Sequence, residues 1–191
     1  MSELTFKEKR RRRFDFDIFF AVLRWVFEIA IVCLFAFVLV WYFGQRVSMI
    51  GDSMNPVLEN GDITLTNRII YNASRPGRGD VIAFHPNGNE DSYCYIRRIV
   101  GLPGETVELK EGKVYINGKG IEEKYTTTEI EDVGMIEEPV TLDSDEYFVL
   151  GDNRESTEDS RSAEIGNVKR SEIEGKVWFV VSPRKNFGFV K

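Results

Sequence analysis

Fifteen consecutive uncharged residues, Ile29 to Phe43 (IAIVCLFAFVLVWYF), constrain this chain more than any other stretch. As a helix rising about 1.5 Å per residue they reach about 22 Å, short of a roughly 30 Å hydrocarbon core. Extending back to Ile18 adds only two charges, Arg24 and Glu28. They stand four apart and can pair across one helical turn, so the longer segment can span a bilayer. A removable signal peptide or a buried core helix would also be apolar. No small-x-small site follows Phe43, where the chain reads GQRVSM, and a core helix needs no cations ahead of it. Residues 14–43 are therefore expected to be a retained transmembrane anchor, with Trp41 and Tyr42 in the interfacial belt.

The charge layout sets an expected orientation. Residues 1–13 hold six cations (Lys7, Lys9, Arg10 to Arg13) and two acids (Glu3, Glu8), a local +4. From Gly44 onward, 18 cations face 26 acids, a sum of −8. The basic tail, 1–13, should stay in the cytoplasm and place 44–191 on the outer side of the cell membrane.

One His and two separated cysteines, Cys33 and Cys94, cannot supply a zinc site or a disulfide framework, so no metal or cofactor is called for. No nucleic-acid partner is expected either. A Ser-His-Asp arrangement would have to use His85.

The outer part reads as mainly β. Asp80 to Phe84, Tyr93 to Val100, Thr106 to Leu109, Val114 to Ile116, Tyr147 to Leu150 and Lys176 to Val181 are short β-rich runs between turn signals. Glu111-Gly112 and Asn117-Gly118 mark tight turns. Residues 120–146 hold ten acids and one Lys. They are expected to be a solvated, acidic, variable excursion from the sheet.

Three stretches are poorly explained by strand or turn needs: Ile50 to Pro56 (IGDSMNP), Tyr93 to Glu105 (YCYIRRIVGLPGE) and Gly151 to Arg161 (GDNRESTEDSR). Together, in this order and behind a basic tail and an anchor, they resemble bacterial type I signal peptidase, the membrane-bound serine protease that removes signal peptides from exported proteins. The resemblance runs through Ser53, Met54 and Pro56, the Gly79-Asp80 strand start, Ile96 to Gly104, Gly151 to Arg154 and the tail GKVWFVVSP. It implies a mainly β, open-barrel-like catalytic fold behind one transmembrane helix, with signal peptides and the lipid bilayer as partners.

By the same resemblance Ser53 is the nucleophile and its own N–H the oxyanion donor, since Gly51 lacks the hydroxyl that can assist two residues earlier. Substrate would lie extended beside Arg46 to Asp52 and Tyr93 to Ile96, with Ile50, Gly51, Asp52, Met54, Pro56, Tyr95 and Ile96 as the binding residues. Thr157, Asp159, Ser160 and Arg161 match the supporting element, with Asp152, Asn153 and Arg154 beside it.

The chain departs from the family at the base. The family's motif Tyr-Ile-Lys-Arg reads Tyr95-Ile96-Arg97-Arg98 here. A guanidinium keeps its proton, with a pKa above about 12, and offers no lone pair. Arg98 has the same defect and is expected on the opposite strand face, and His85 matches no base position. Arg97 is expected to give its hydrogen bonds to Asp159 or Thr157. Two functions follow: a signal peptidase impaired at its base, or an inactive paralogue that grips extended segments at the membrane surface.

Overall fold

The computed structural model describes residues 3–89, 91–123, 125 and 127–190, and divides the chain into two units, 1–41 and 42–191. Helix α1 (Glu3–Phe43) is continuous for 41 residues. Its stretch Phe16–Phe43 is long and apolar enough to cross a membrane, and its large apolar side chains are exposed. At about 1.5 Å per residue these 28 residues extend about 42 Å, more than a hydrocarbon core requires. Arg24 and Glu28 do pair, at 3.3 Å.

The second unit is mainly β, as expected from the turn-punctuated runs. Its strands are β1 (Gln45–Ser48), β2 (Ile63–Asn67), β3 (Val81–Phe84), β4 (Tyr95–Gly101), β5 (Thr106–Lys110), β6 (Lys113–Ile116), β7 (Lys119–Gly120), β8 (Val140–Thr141), β9 (Glu146–Leu150), β10 (Val168–Lys169), β11 (Ile173–Ser182) and β12 (Gly188–Phe189). The larger sheet runs β1-β2-β11-β3-β4-β9-β10 with β12 on β11, and the smaller β7-β6-β5-β8. Every pairing is antiparallel. The α-helical content of this unit, among the described residues, is the single turn α2 (Ile70–Ala73).

Glu111-Gly112 joins β5 to β6 and Asn117-Gly118 joins β6 to β7, with positive φ at all four residues. Two-residue hairpins need that geometry to match strand twist.

Strands β3 and β9 read as unbroken apolar runs because both of their faces are covered. Ile82 and Phe84 meet Tyr147 and Val149 in one core. Val81 and Ala83 enter a second, with Met49, Met54 and Ile96. Phe148 and Leu150 enter a third, formed with the smaller sheet.

The acidic segment 120–146 is not simply a solvated excursion. Ile130 and Leu142 are buried in the third core, Glu123 pairs with Arg154, and Met135 N–H donates to the Arg161 carbonyl at 2.9 Å. Most of its acids face water while its sparse apolar residues and backbone are drawn onto the sheet, a division that a count of acids conceals.

Candidate active site

Ser53 sits on a turn between β1 and β2 whose backbone is fixed by the loop after β9. Asn153 N–H donates to the Ser53 carbonyl at 3.0 Å and its side-chain amide to the Asp52 carbonyl at 3.3 Å. Gly151 makes that approach possible: a Cβ there would overlap the Ser53 carbonyl oxygen and stand 3.3 Å from that of Asn153. Only a residue without a side chain fits between the two loops.

Ser53 is 2% exposed. Its hydroxyl has no hydrogen-bond partner among the described residues, and neither has its backbone N–H. A buried polar group left unmatched costs about 1–3 kcal/mol, and here hydroxyl and N–H on one residue are both free to engage something else. Gly51 has φ of +80° and receives Asn60 Oδ1 on its N–H at 3.2 Å.

The supporting loop is built from two buried ion pairs. Asp159 takes Arg161 Nε at 2.9 Å and Nη2 at 2.8 Å, while its Oδ2 also accepts from Gly151 N–H at 3.1 Å. Arg161 donates further to the carbonyls of Asp132 and Arg154, both at 2.8 Å, and to that of Ser156. Ser160 exchanges hydrogen bonds with Val149, its hydroxyl accepting from Val149 N–H at 2.9 Å, which pins the loop to β9.

Asp152 takes Arg98 in the second pair, Nε at 2.7 Å and Nη2 at 2.6 Å, and Arg98 Nη1 reaches the Gly79 carbonyl at 2.9 Å. The Arg98 guanidinium lies 4.1 Å from the Tyr125 ring centre. Burial pushes the Asp152 carboxyl up from its ordinary range and outweighs the hydrogen bonds from Arg98. Arg154 donates to the Gly151 carbonyl at 2.8 Å and pairs with Glu123.

Arg97 is 1% exposed. Its guanidinium does not go to Asp159 or Thr157, as the sequence suggests. Asp159 is already saturated by Arg161 and Gly151, and Thr157 contributes its carbonyl to Asp159 N–H at 2.9 Å. Arg97 Nε donates instead to the Glu158 carbonyl at 2.5 Å and Nη1 to the Ile96 carbonyl at 2.6 Å. Nη2 is 3.5 Å from Glu158 Oε2, on a side chain 68% exposed. Burial lowers the Arg97 pKa, while the Asp159 and Glu158 charges hold it up.

A cleft of about 140 Å³ opens beside Arg97, lined by Met49, Ile50, Tyr93, Cys94, Tyr95, Ile96, Arg97 and Glu158. Its floor is a free strand edge. β4 pairs with β3 from Tyr95 but with β9 only from Arg98, so Tyr95 to Arg97 have one unpaired side. Of the residues expected to bind substrate, Ile50, Tyr95 and Ile96 line this cleft, Met54 is wholly buried beneath, and Gly51, Asp52 and Pro56 lie on the Ser53 turn. Sequence reasoning missed Glu158 as a lining residue. Glu158 was findable, since it stands between Thr157 and Asp159 in a loop already singled out. Burial pushes the Cys94 thiol up to about 12, and His85 lies with Glu174 at 3.2 Å.

Comparison with known proteins places these features in context. The family profile described as "Signal peptidase, peptidase S26" matches residues 22–182. Signal peptidase I of Bacillus caldolyticus is 36% identical, covering 96% of this chain and 97% of its own. Signal peptidase IB of Staphylococcus aureus strain COL is 30% identical over 87% of this chain and 92% of its own. A crystal structure of a signal peptidase I from Enterococcus faecalis is 35% identical and covers 54% of this chain and 97% of its own, with a TM-score of 0.43.

Proposed function

This chain belongs to the signal peptidase family, peptidase S26, and on that premise we propose that it is a membrane-anchored serine endopeptidase that removes signal peptides from exported proteins, slowed by Arg97 at the base position. The tail 1–13 lies in the cytoplasm and 44–191 outside it, a reading supported by the six cations ahead of the apolar helix.

The observation that carries the reading is Ser53 itself. A buried serine whose hydroxyl and N–H both lack partners among the described residues, on a turn clamped by Asn153, suits a nucleophile and an oxyanion donor awaiting one carbonyl. An extended segment would add main-chain hydrogen bonds along the free edge at Tyr95 to Arg97 and place small side chains in the shallow cleft. The Ser53 oxygen attacks the scissile carbonyl, the oxyanion is held by Ser53 N–H, and the hydroxyl proton must pass to a base.

That last step is where this chain differs. Arg97 is a donor at every position and holds its proton at neutral pH even when burial lowers its pKa. Loss of general-base help costs about 100- to 10,000-fold. One observation favours a second reading, a paralogue that binds without cutting: Arg97 is tied to two carbonyls rather than free to exchange protons.

The test uses detergent-solubilised full-length chain and a fluorogenic peptide with an Ala-x-Ala site. Slow cleavage is expected from the parent, none from Ser53→Ala, and a gain of at least about 100-fold from Arg97→Lys. Fast cleavage by the parent that Ser53→Ala abolishes would overturn the account of Arg97. No gain in Arg97→Lys would favour the binding protein.

A further inference from the structure

Four arginines are fully buried in the outer unit: Arg97, Arg98, Arg154 and Arg161. Three have a carboxylate in close contact, Arg98 with Asp152 at 2.6 Å, Arg161 with Asp159 at 2.8 Å and Arg154 with Glu123. Arg97 alone has no carboxylate in close contact among the described residues: Asp159, held by Arg161, acts on it only through its charge, and the solvent-exposed Glu158 carboxylate stands at 3.5 Å. A buried cation is costly unless an anion meets it at close range.

Arg97 is also the buried arginine that borders the cleft. Nε and Nη1 each spend one N–H on a backbone carbonyl, which leaves N–H groups on Nη1 and Nη2 without a close acceptor among the described residues. The shortfall is one anionic acceptor, planar and small enough for about 140 Å³, delivered along a free strand edge. A carboxylate at the end of an extended peptide meets each requirement and matches the guanidinium fork.

We propose that the Arg97 cleft is a receptor for the free C-terminal carboxylate of an extended peptide, the end that signal-peptide cleavage creates, and that it prefers this cut end to an uncut chain. This rests on the reading that the cleft accepts extended signal-peptide segments. Where the family's lysine would lose its proton for chemistry, the permanent charge of Arg97 holds an anion. Glu158 is the competitor, a carboxylate whose exposed side chain swings away when the ligand arrives.

The test uses two fluorescein-labelled peptides identical up to an Ala-x-Ala end, one a free acid and the other a C-terminal amide. Anisotropy titrations on the full-length chain in detergent should show the acid bound at least tenfold more tightly. Glu158→Gln, which keeps the backbone carbonyl that Arg97 uses, should tighten the acid and leave the amide unchanged. Arg97→Gln should bring the acid down to the amide. Acetate, which offers the carboxylate without the peptide, should compete only in large excess over the acid peptide, and if it displaced that peptide at equal concentration the site would be a small-anion pocket and the peptide assignment would fall. Equal binding of acid and amide to the parent chain would overturn the proposal and leave the proposed function standing. Failure of that function would show separately, as absence of amide binding together with no cleavage by Arg97→Lys.

Discussion

Gly151→Ala tests whether the position of Ser53 depends on contact between two backbones. The perturbation adds one methyl, and Gly151 does not lie at positive φ, so alanine meets no conformational penalty there. What it meets is the Ser53 carbonyl oxygen, at a separation no real Cβ tolerates, with backbone on both sides that cannot swing aside. Overpacking of this kind costs about 1–3 kcal/mol, offset in part by the roughly 0.4–1 kcal/mol that alanine gains through the unfolded chain. Gly77→Ala is the control, because its Cβ would meet only Asp80 Oδ2, at an ordinary 3.6 Å. Urea unfolding followed by tryptophan fluorescence should show Gly151→Ala less stable than the parent by up to about 2.6 kcal/mol, and Gly77→Ala unchanged or slightly stabilised. Moving the Ser53 carbonyl also loosens the Asn153 clamp, and a shift of about 1 Å can cost about 100-fold in rate. Measured in the Arg97→Lys background, Gly151→Ala should therefore lose far more activity than stability. A Gly151→Ala variant with parental stability and parental cleavage would refute the clamp.

Other consequences are checkable. Asp152→Asn removes the buried carboxylate that meets the Arg98 cation and should lower stability by about 3–5 kcal/mol in urea, and a loss below about 1 kcal/mol would contradict the pairing. Burial raises Cys94 from 9.0 to about 12, so in a Cys33→Ala background its alkylation by iodoacetamide at pH 8 should run about 1000-fold slower than in the unfolded chain. Because the folded pKa is the higher one, the associated stability is complete below about pH 9 and drains away as pH climbs toward about 12. Fast labelling of the native chain would show that the thiol is not held as described.

Much of the frame could be read from the residues. The apolar helix, the two hairpin turns and the strands β3, β4, β5, β6, β9 and β11 all announce themselves by β-branched runs and punctuation. Strand β1 did not, because QRVS is a polar edge strand with little to alternate against. The two-residue strands β7, β8, β10 and β12 are too short to carry a period. The site was legible as a set of motifs and opaque as a set of contacts. Period-two alternation places Arg97 and Arg98 on opposite faces of β4, which suggests that one of them is exposed. Both are buried, because the loop from Gly151 to Arg161 covers Arg97 while Asp152 and Tyr125 cover Arg98. Those covers come from far along the chain, where local pattern carries no information. The destination of Arg97 could not be foreseen for the same reason: Asp159 looks available until Arg161 is seen to occupy it.

The clamp on Ser53 also has a bearing on biogenesis. Asn153 holds the Asp52 carbonyl across 101 positions, so a ribosome delivers the hydroxyl long before the partner that positions it. A nascent chain halted ahead of Gly151 carries the serine without its cradle, and the positioning of Ser53 must wait until about four-fifths of the 191-residue polypeptide has been made. Truncations that remove Gly151 and Asn153 should accordingly yield inert fragments rather than unregulated ones.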